Sequence, residues 1–120
     1  MPSRTRVARE LAEIFKLMAH PDRIRLIEEL RSGEKDVNAL ADFLGLAASR
    51  VSQHLLPLRA HRLDAERRDG RHHHYQLVQL RMADWTVDGL AFLEGRGAAV
   101  PDQEIYDARK LWSTSTGADH

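Results

Sequence analysis

Apolar positions recur along the first half of the chain at the 3.6-residue spacing of helices with one buried side. Val7, Leu11, Ile14, Phe15 and Met18 fall at i, i+4, i+7, i+8 and i+11, with charge on the other side. That spacing predicts a first helix carrying a single apolar stripe. "HPDRIRLIEELRSG" predicts a second. Pro21 suits its first turn, Gly33 its end, and Ile24, Leu26, Ile27 and Leu30 its core face. "KDVNALADFLGL" predicts a short third helix, with Asp36 as cap, Val37, Leu40, Ala41 and Leu44 inward, and Gly45 as the stop. "AASRVSQHLLPLRAHR" follows at once as a fourth, with Val51, Leu55 and Leu58 on its buried side. Two short helices joined by a tight turn at a glycine make a helix-turn-helix.

The period then changes to two. In "LDAERRDGRHHHYQL", Asp69-Gly70 is a type I′ hairpin signal between two runs that read as strands. The second run puts His73, Tyr75 and Leu77 on one face and His72, His74 and Gln76 on the other. "RMADWTVDGLAFLEG" returns to helical spacing, with Met82, Trp85, Leu90 and Leu93 apolar and Gly89 a weak point. "RGAAVP" reads as a linker. "DQEIYDARKLW" reads as a helix capped by Asp102, with Ile105, Ala108 and Leu111 or Trp112 along one side, and "STSTGADH" as a disordered tail. The expected architecture is mainly α with a small β-hairpin wing. A domain spanning 1–95 precedes a linker, short helix and tail over 96–120.

At 120 residues one compact domain is expected. The absence of cysteine excludes a disulfide framework and thiolate chemistry. No apolar run approaches a membrane span, and the basic start "MPSRTRVARE" lacks the apolar core of a signal peptide, so a cytoplasmic home is expected. Net charge is zero but unevenly spread. Leu46 to Tyr75 holds six arginines against three acids, a net +3, and five of the seven histidines. Gln76 to His120 holds four basic residues against seven acids, a net −3. Such a chain meets an anion with one face. No cysteine nucleophile, Gly-rich phosphate loop or acid/base pair supports an enzyme, and no cofactor is implied.

The pieces "HPDRIRLI", "LADFLGL", "SRVSQHL" and "DGR…Y.L", in this order, make the span from about Leu11 to Leu93 resemble the ArsR/SmtB family of bacterial transcriptional repressors. The resemblance implies a winged helix-turn-helix homodimer built from the first and fifth helices, with the fourth helix in the major groove and the wing beside it. The implied dimer interface is Val7, Leu11, Ile14, Phe15, Met18, Trp85, Leu90 and Leu93. The sequence departs from the family pattern in four places. Ala47 replaces a capping Ser or Thr. Pro57 falls inside the recognition helix, which is expected to bend or end early there. Asp64 stands where the first wing strand is usually apolar. The cysteines many members carry at the start of the third helix are Asp36 and Asn38 here, and the alternative metal set on the fifth helix is absent.

In that setting Ser49, Arg50, Ser52, Gln53 and His54 place short donors, a guanidinium and an amide at the start of the recognition helix. Arginine can pair with guanine and glutamine with adenine. Arg68, Arg71 and His72 are the expected wing contacts to double-stranded DNA, to its phosphates or in its minor groove. DNA affinity is expected to rise as pH falls from about 8 to 6, through His54, His72 and His74. His72 and His74 share a strand face and could grip a metal from one side. Two ligands fall short of the about four that zinc takes, so no metal site is assigned. The dimer mate, or Asp119 and His120, would have to complete it. His73 is expected to face the wing's own core. The Trp85 stripe and the Ile105 to Trp112 stripe are read as packing in preference to a small-molecule pocket. The function implied is a sequence-specific DNA-binding regulator, a repressor released by a signal the residues do not name. Two alternatives stay open: a winged-helix module that binds another protein without reading DNA, and a metal-sensing repressor that uses the wing histidines.

Overall fold

The computed structural model describes residues 2–95 and 100–113. The expected linker falls partly outside the described residues, as does the expected disordered tail from Thr114 on, Asp119 and His120 included; its first residue, Ser113, ends the last helix. The order is α1 (Pro2–Met18), α2 (Pro21–Leu30), β1 (Lys35–Asp36), α3 (Val37–Leu44), α4 (Ala48–Ala60), β2 (Asp64–Asp69), β3 (His72–Leu77), α5 (Arg81–Gly89), a 3₁₀ turn (Leu90–Phe92) and α6 (Asp102–Ser113). The strands form one antiparallel sheet in the order β1-β3-β2. The fold is mainly helical with a small antiparallel wing, as expected, but β1 is an addition. Its two residues lie opposite Tyr75 and His74. A two-residue strand carries no readable alternation.

The helix ends follow their local chemistry. Pro21 opens α2, and the His20 ring accepts the Asp22 N–H through Nδ1 at 3.1 Å. The Asp36 carboxylate caps α3, accepting the Asn38 N–H at 2.6 Å. Gly45 then stops α3 at φ +69°, a left-handed geometry that favours glycine. Ala47 stands at the start of α4 with no side-chain cap bond.

Pro57 does not end α4, which runs on to Ala60. Its ring removes the donor for the Gln53 carbonyl, but Gln53 is exposed and water can serve that oxygen. The helix closes at Arg62, the one described non-glycine residue with positive φ, as the Leu63 N–H reaches back to the Leu58 carbonyl at 2.8 Å.

The core gathers Leu26, Ile27 and Leu30 of α2, Leu40 and Ala41 of α3, Val51, Leu55 and Leu58 of α4, Tyr75 and Leu77 of β3, and Met82 and Ala83 of α5. Truncating one of the fully buried leucines to alanine would cost about 2–5 kcal/mol. The recognition helix is thus held from behind by α2, α3 and the wing.

Three expectations are corrected. The hairpin pairs Asp69 with His72, so its two-residue loop is Gly70-Arg71, with positive φ at Gly70 only. That is the type II′ pattern rather than I′. The fifth helix does not run unbroken to Leu93: α5 ends at Gly89 and the chain tightens into the 3₁₀ turn. Glycine's poor helix propensity permits the change. Leu90, expected at the dimer interface, is 6% exposed within the single chain and already belongs to its interior.

The remaining apolar stripe stays outside. Val7 is 66% and Phe15 51% exposed, and Leu11, Trp85 and Leu93 are exposed as well. Phe15 meets Trp85 edge-on, with ring centroids 5.4 Å apart, so α1 and α5 form one continuous surface. Ile14 and Met18 lean partly onto the chain's own core. In α6, Ile105 is buried, Trp112 half-buried and Leu111 exposed, which selects Trp112 for the inner side. Asp102 lies inside the helix as its first residue, and its carboxylate accepts the Gly95 N–H at 3.5 Å. Arg31 ties α6 to α2 by donating to the Leu111 carbonyl at 2.8 Å. An open cleft lined by Arg31, Asp84, Asp88 and Trp112 separates α5 from α6.

Candidate nucleic-acid interface

Helical phase divides α4 into two faces. Val51, Leu55 and Leu58 point into the core, while Ser49, Arg50 and Gln53 are exposed on the opposite side. Ser52 lies between them, half-buried, with its hydroxyl 3.4 Å from that of Tyr75. His54 departs from expectation: it is 8% exposed and faces inward. One residue before Leu55 and four before Leu58, it falls within the buried arc. Its ring packs on His20 at 4.5 Å between centroids, and its Nε2 lies 3.5 Å from Asp22 Oδ2. Desolvation first, then the charge of His20, lowers its pKa. Buried on the inner side of α4, His54 does not reach a phosphate and does not take the role in DNA binding and its pH dependence that was expected of it.

The wing arginines divide in the same way. Arg67 is clamped to Glu34 by two hydrogen bonds, at 2.8 and 3.1 Å, across to the loop after α2. The same bonds raise the pKa of Arg67 and lower that of Glu34. Arg68 is exposed, with only a loose 3.9 Å approach to Glu66. Arg71, at the loop, is exposed and has no ion-pair partner among the described residues. His72 is exposed but its Nδ1 lies 2.9 Å from Asp36 Oδ2, joining the wing tip to the cap of α3. Asp36 is held below its usual pKa, first by the Asn38 N–H and then by His72. His74 is half-buried, its ring 6.1 Å from that of His72. His73 shares a face with buried Tyr75 and Leu77, yet it is half-exposed and bonded to Glu66 at 2.7 Å.

Sequence reasoning missed the joint between α4 and the wing. Arg59 is one of the six arginines of the basic span from Leu46 to Tyr75. Its Nη1 donates to Glu66 Oε1 at 3.3 Å, its Nε lies 3.9 Å from Asp64 Oδ1, and its guanidinium sits over the Tyr75 ring at 5.2 Å. Glu66 is held below its usual pKa by its bond to His73, with Arg59 adding to the effect. Asp64 is 3% exposed and neither carboxylate oxygen has a hydrogen-bond partner. Burial pushes its pKa up to about 6, against the pull of Arg59. The one available signal was a charged residue in an expected apolar strand position. The residue that would face it was not readable.

Ser49, Arg50 and Gln53 on α4 and Arg68 and Arg71 on the wing are left exposed, whereas Arg59 and Arg67 are paired with Glu66 and Glu34. The exposed set offers base-reading donors beside phosphate-binding cations.

Known proteins resemble this chain in sequence and fold. The model of the bacterial regulatory protein arsR family matches residues 20–63. The chain is 34% identical over 91 residues to the HTH-type transcriptional regulator KmtR of Mycobacterium tuberculosis, across 76% of this chain and 70% of KmtR. The crystal structure of NolR from Sinorhizobium fredii superposes with a TM-score of 0.64 at 32% identity, covering 79% of this chain and 94% of that one. The homodimeric winged helix-turn-helix domain Mb0332 of Mycobacterium bovis shares the fold, with a TM-score of 0.61 at 20% identity over 79% of this chain and 94% of that domain.

Proposed function

As a member of the ArsR family of bacterial regulatory proteins, this chain is a DNA-binding transcriptional regulator, and we propose that it works as a homodimeric repressor. In this reading α4 enters the major groove with Ser49, Arg50 and Gln53 toward the base edges. Arg68 and Arg71 of the wing hold the flanking phosphates, with His72 beside them. Ser52 braces α4 against Tyr75 at the groove's edge.

The observation that carries the reading is the freedom of this outer row. Arg59 and Arg67 are engaged within the fold, whereas Arg50 and Arg71 are exposed. The dimer follows from the uncovered stripe of Val7, Leu11 and Phe15, continuous with Trp85 and Leu93. A two-fold axis there would cover both copies' stripes and set two recognition helices roughly one DNA turn, ~34 Å, apart. No described helix is long and apolar enough to cross a membrane, and a cytoplasmic location fits a protein that works on DNA.

The test is duplex binding at two salt concentrations with wild type and Arg71→Ala. Binding should weaken steeply with salt, and the variant should lose about 0.9 of log–log slope for each phosphate contact removed. No binding to any duplex would favour a protein-binding module instead.

A further inference from the structure

We propose that His20, Asp22 and His54 form a binding site for a divalent transition-metal ion at the joint between the start of α2 and the inner face of the recognition helix. Each offers one ligand atom, and these atoms lie within 4.8 Å of one another. No other group of three potential ligands lies this close among the described residues. Zinc–ligand bonds of ~2.0–2.1 Å at tetrahedral angles put neighbouring donors about 3.3 Å apart. The 3.5 Å between His54 Nε2 and Asp22 Oδ2 is already close to that spacing. His20 needs only a side-chain adjustment to join them.

A second observation points to a ligand here. His54 Nε2 is buried and has no hydrogen-bond partner, although its side chain is only 10% exposed. Buried polar atoms are rarely left so, and each that is needs an explanation. A neutral imidazole with a free ring nitrogen is the form that binds metal. The Asp22 side chain, 31% exposed, leaves an approach from solvent. Two imidazoles and a carboxylate, with no sulfur, suit Zn²⁺, Co²⁺ or Ni²⁺ and not a thiol-seeking ion. Three protein ligands also leave a coordination position for water.

Two features limit the affinity. The charges of Arg23 and Arg50 act on His54 and repel a cation there. His20 Nδ1 accepts the Asp22 N–H that caps α2. An ion on His20 Nε2 would leave the ring proton on Nδ1, opposed to that N–H, so metal binding exchanges the cap for a metal bond. The site stands on this geometry alone and does not rest on the DNA reading.

The experiment is titration of the full chain with Co²⁺ and Zn²⁺, read by calorimetry and by the visible absorption of bound Co²⁺. The variants are His20→Asn, which keeps a good helix cap, His54→Gln, and His72→Gln/His74→Gln as the wing control. Circular dichroism melting verifies that His20→Asn is folded. One ion per chain is expected. His20→Asn should weaken it more than about tenfold, the scale seen even for loss of an outer-shell partner. The wing variant should bind as wild type does. Absence of binding to wild type, full binding to folded His20→Asn, or loss of binding in the wing variant would each overturn the site.

Discussion

Asp64→Asn should remove a pH-dependent contribution to stability whose sign follows from the burial of this carboxylate. Asp64 is buried with no hydrogen bond to either oxygen, beside Arg59 at 3.9 Å. Its pKa rises from 3.8 to about 6 on folding. The folded state therefore holds more protons than the unfolded state between those values. Stability contributed by this group is greatest below 3.8, falls as pH rises through the window, and is level above about 6. The whole interval corresponds to about 3 kcal/mol, of which a little under half lies between pH 5 and pH 8. His54 acts with the opposite sign, since a histidine with a lowered folded pKa gains stability as pH rises. Subtracting variant from wild type cancels that contribution. Urea denaturation of both proteins at pH 5 and pH 8, at one protein concentration, gives the double difference. Wild type should lose on the order of 1 kcal/mol relative to Asp64→Asn on going from pH 5 to pH 8. The absolute difference is less informative, because a buried unpaired amide itself costs about 1–3 kcal/mol. A double difference near zero would show that Asp64 keeps its ordinary acidity, and that the buried carboxylate at this joint is hydrated or better paired than described.

Ala47→Ser should stabilise the chain by about 1 kcal/mol by supplying the missing cap of α4, read as a shift in the urea midpoint. Light scattering should find wild type as a dimer at micromolar concentration. Leu11→Glu/Phe15→Glu should be a folded monomer, because both side chains are exposed within the single chain. A monomeric wild type would remove the proposed interface.

What the sequence made legible was mostly local. The Asp36 cap, the Gly45 stop and the Pro21 start each depend on residues within a few positions, and each stands where the sequence put it. The apolar stripes of α2, α3 and α4 form the core for the same reason: helical period alone decides which side is inward. The buried arc of α4 also contained His54, and counting its phase from Val51 and Leu58 would have placed it inside. The rest depends on long-range pairing. Arg67 meets Glu34 and Arg59 meets Glu66 only after the sheet has formed. Two chemically similar arginines on one strand, Arg67 and Arg68, thus have different partners, and no local pattern separates them. The strand at Lys35 exists because β3 presents an open edge to it.

The central claim is that the outer row of α4 reads bases while the wing holds the backbone. Selection of binding sites from a random duplex pool tests it most directly, with wild type, Gln53→Ala and Arg71→Ala compared at one salt concentration. Wild type should enrich an inverted repeat, as a two-fold dimer requires. Gln53→Ala should lose preference at specific positions within each half-site, since a bidentate base contact is worth about 1–3 kcal/mol of discrimination. Arg71→Ala should enrich the same repeat with weaker binding throughout. If Gln53→Ala selects the wild-type repeat unchanged, or no sequence is enriched at all, α4 does not read DNA in the way described.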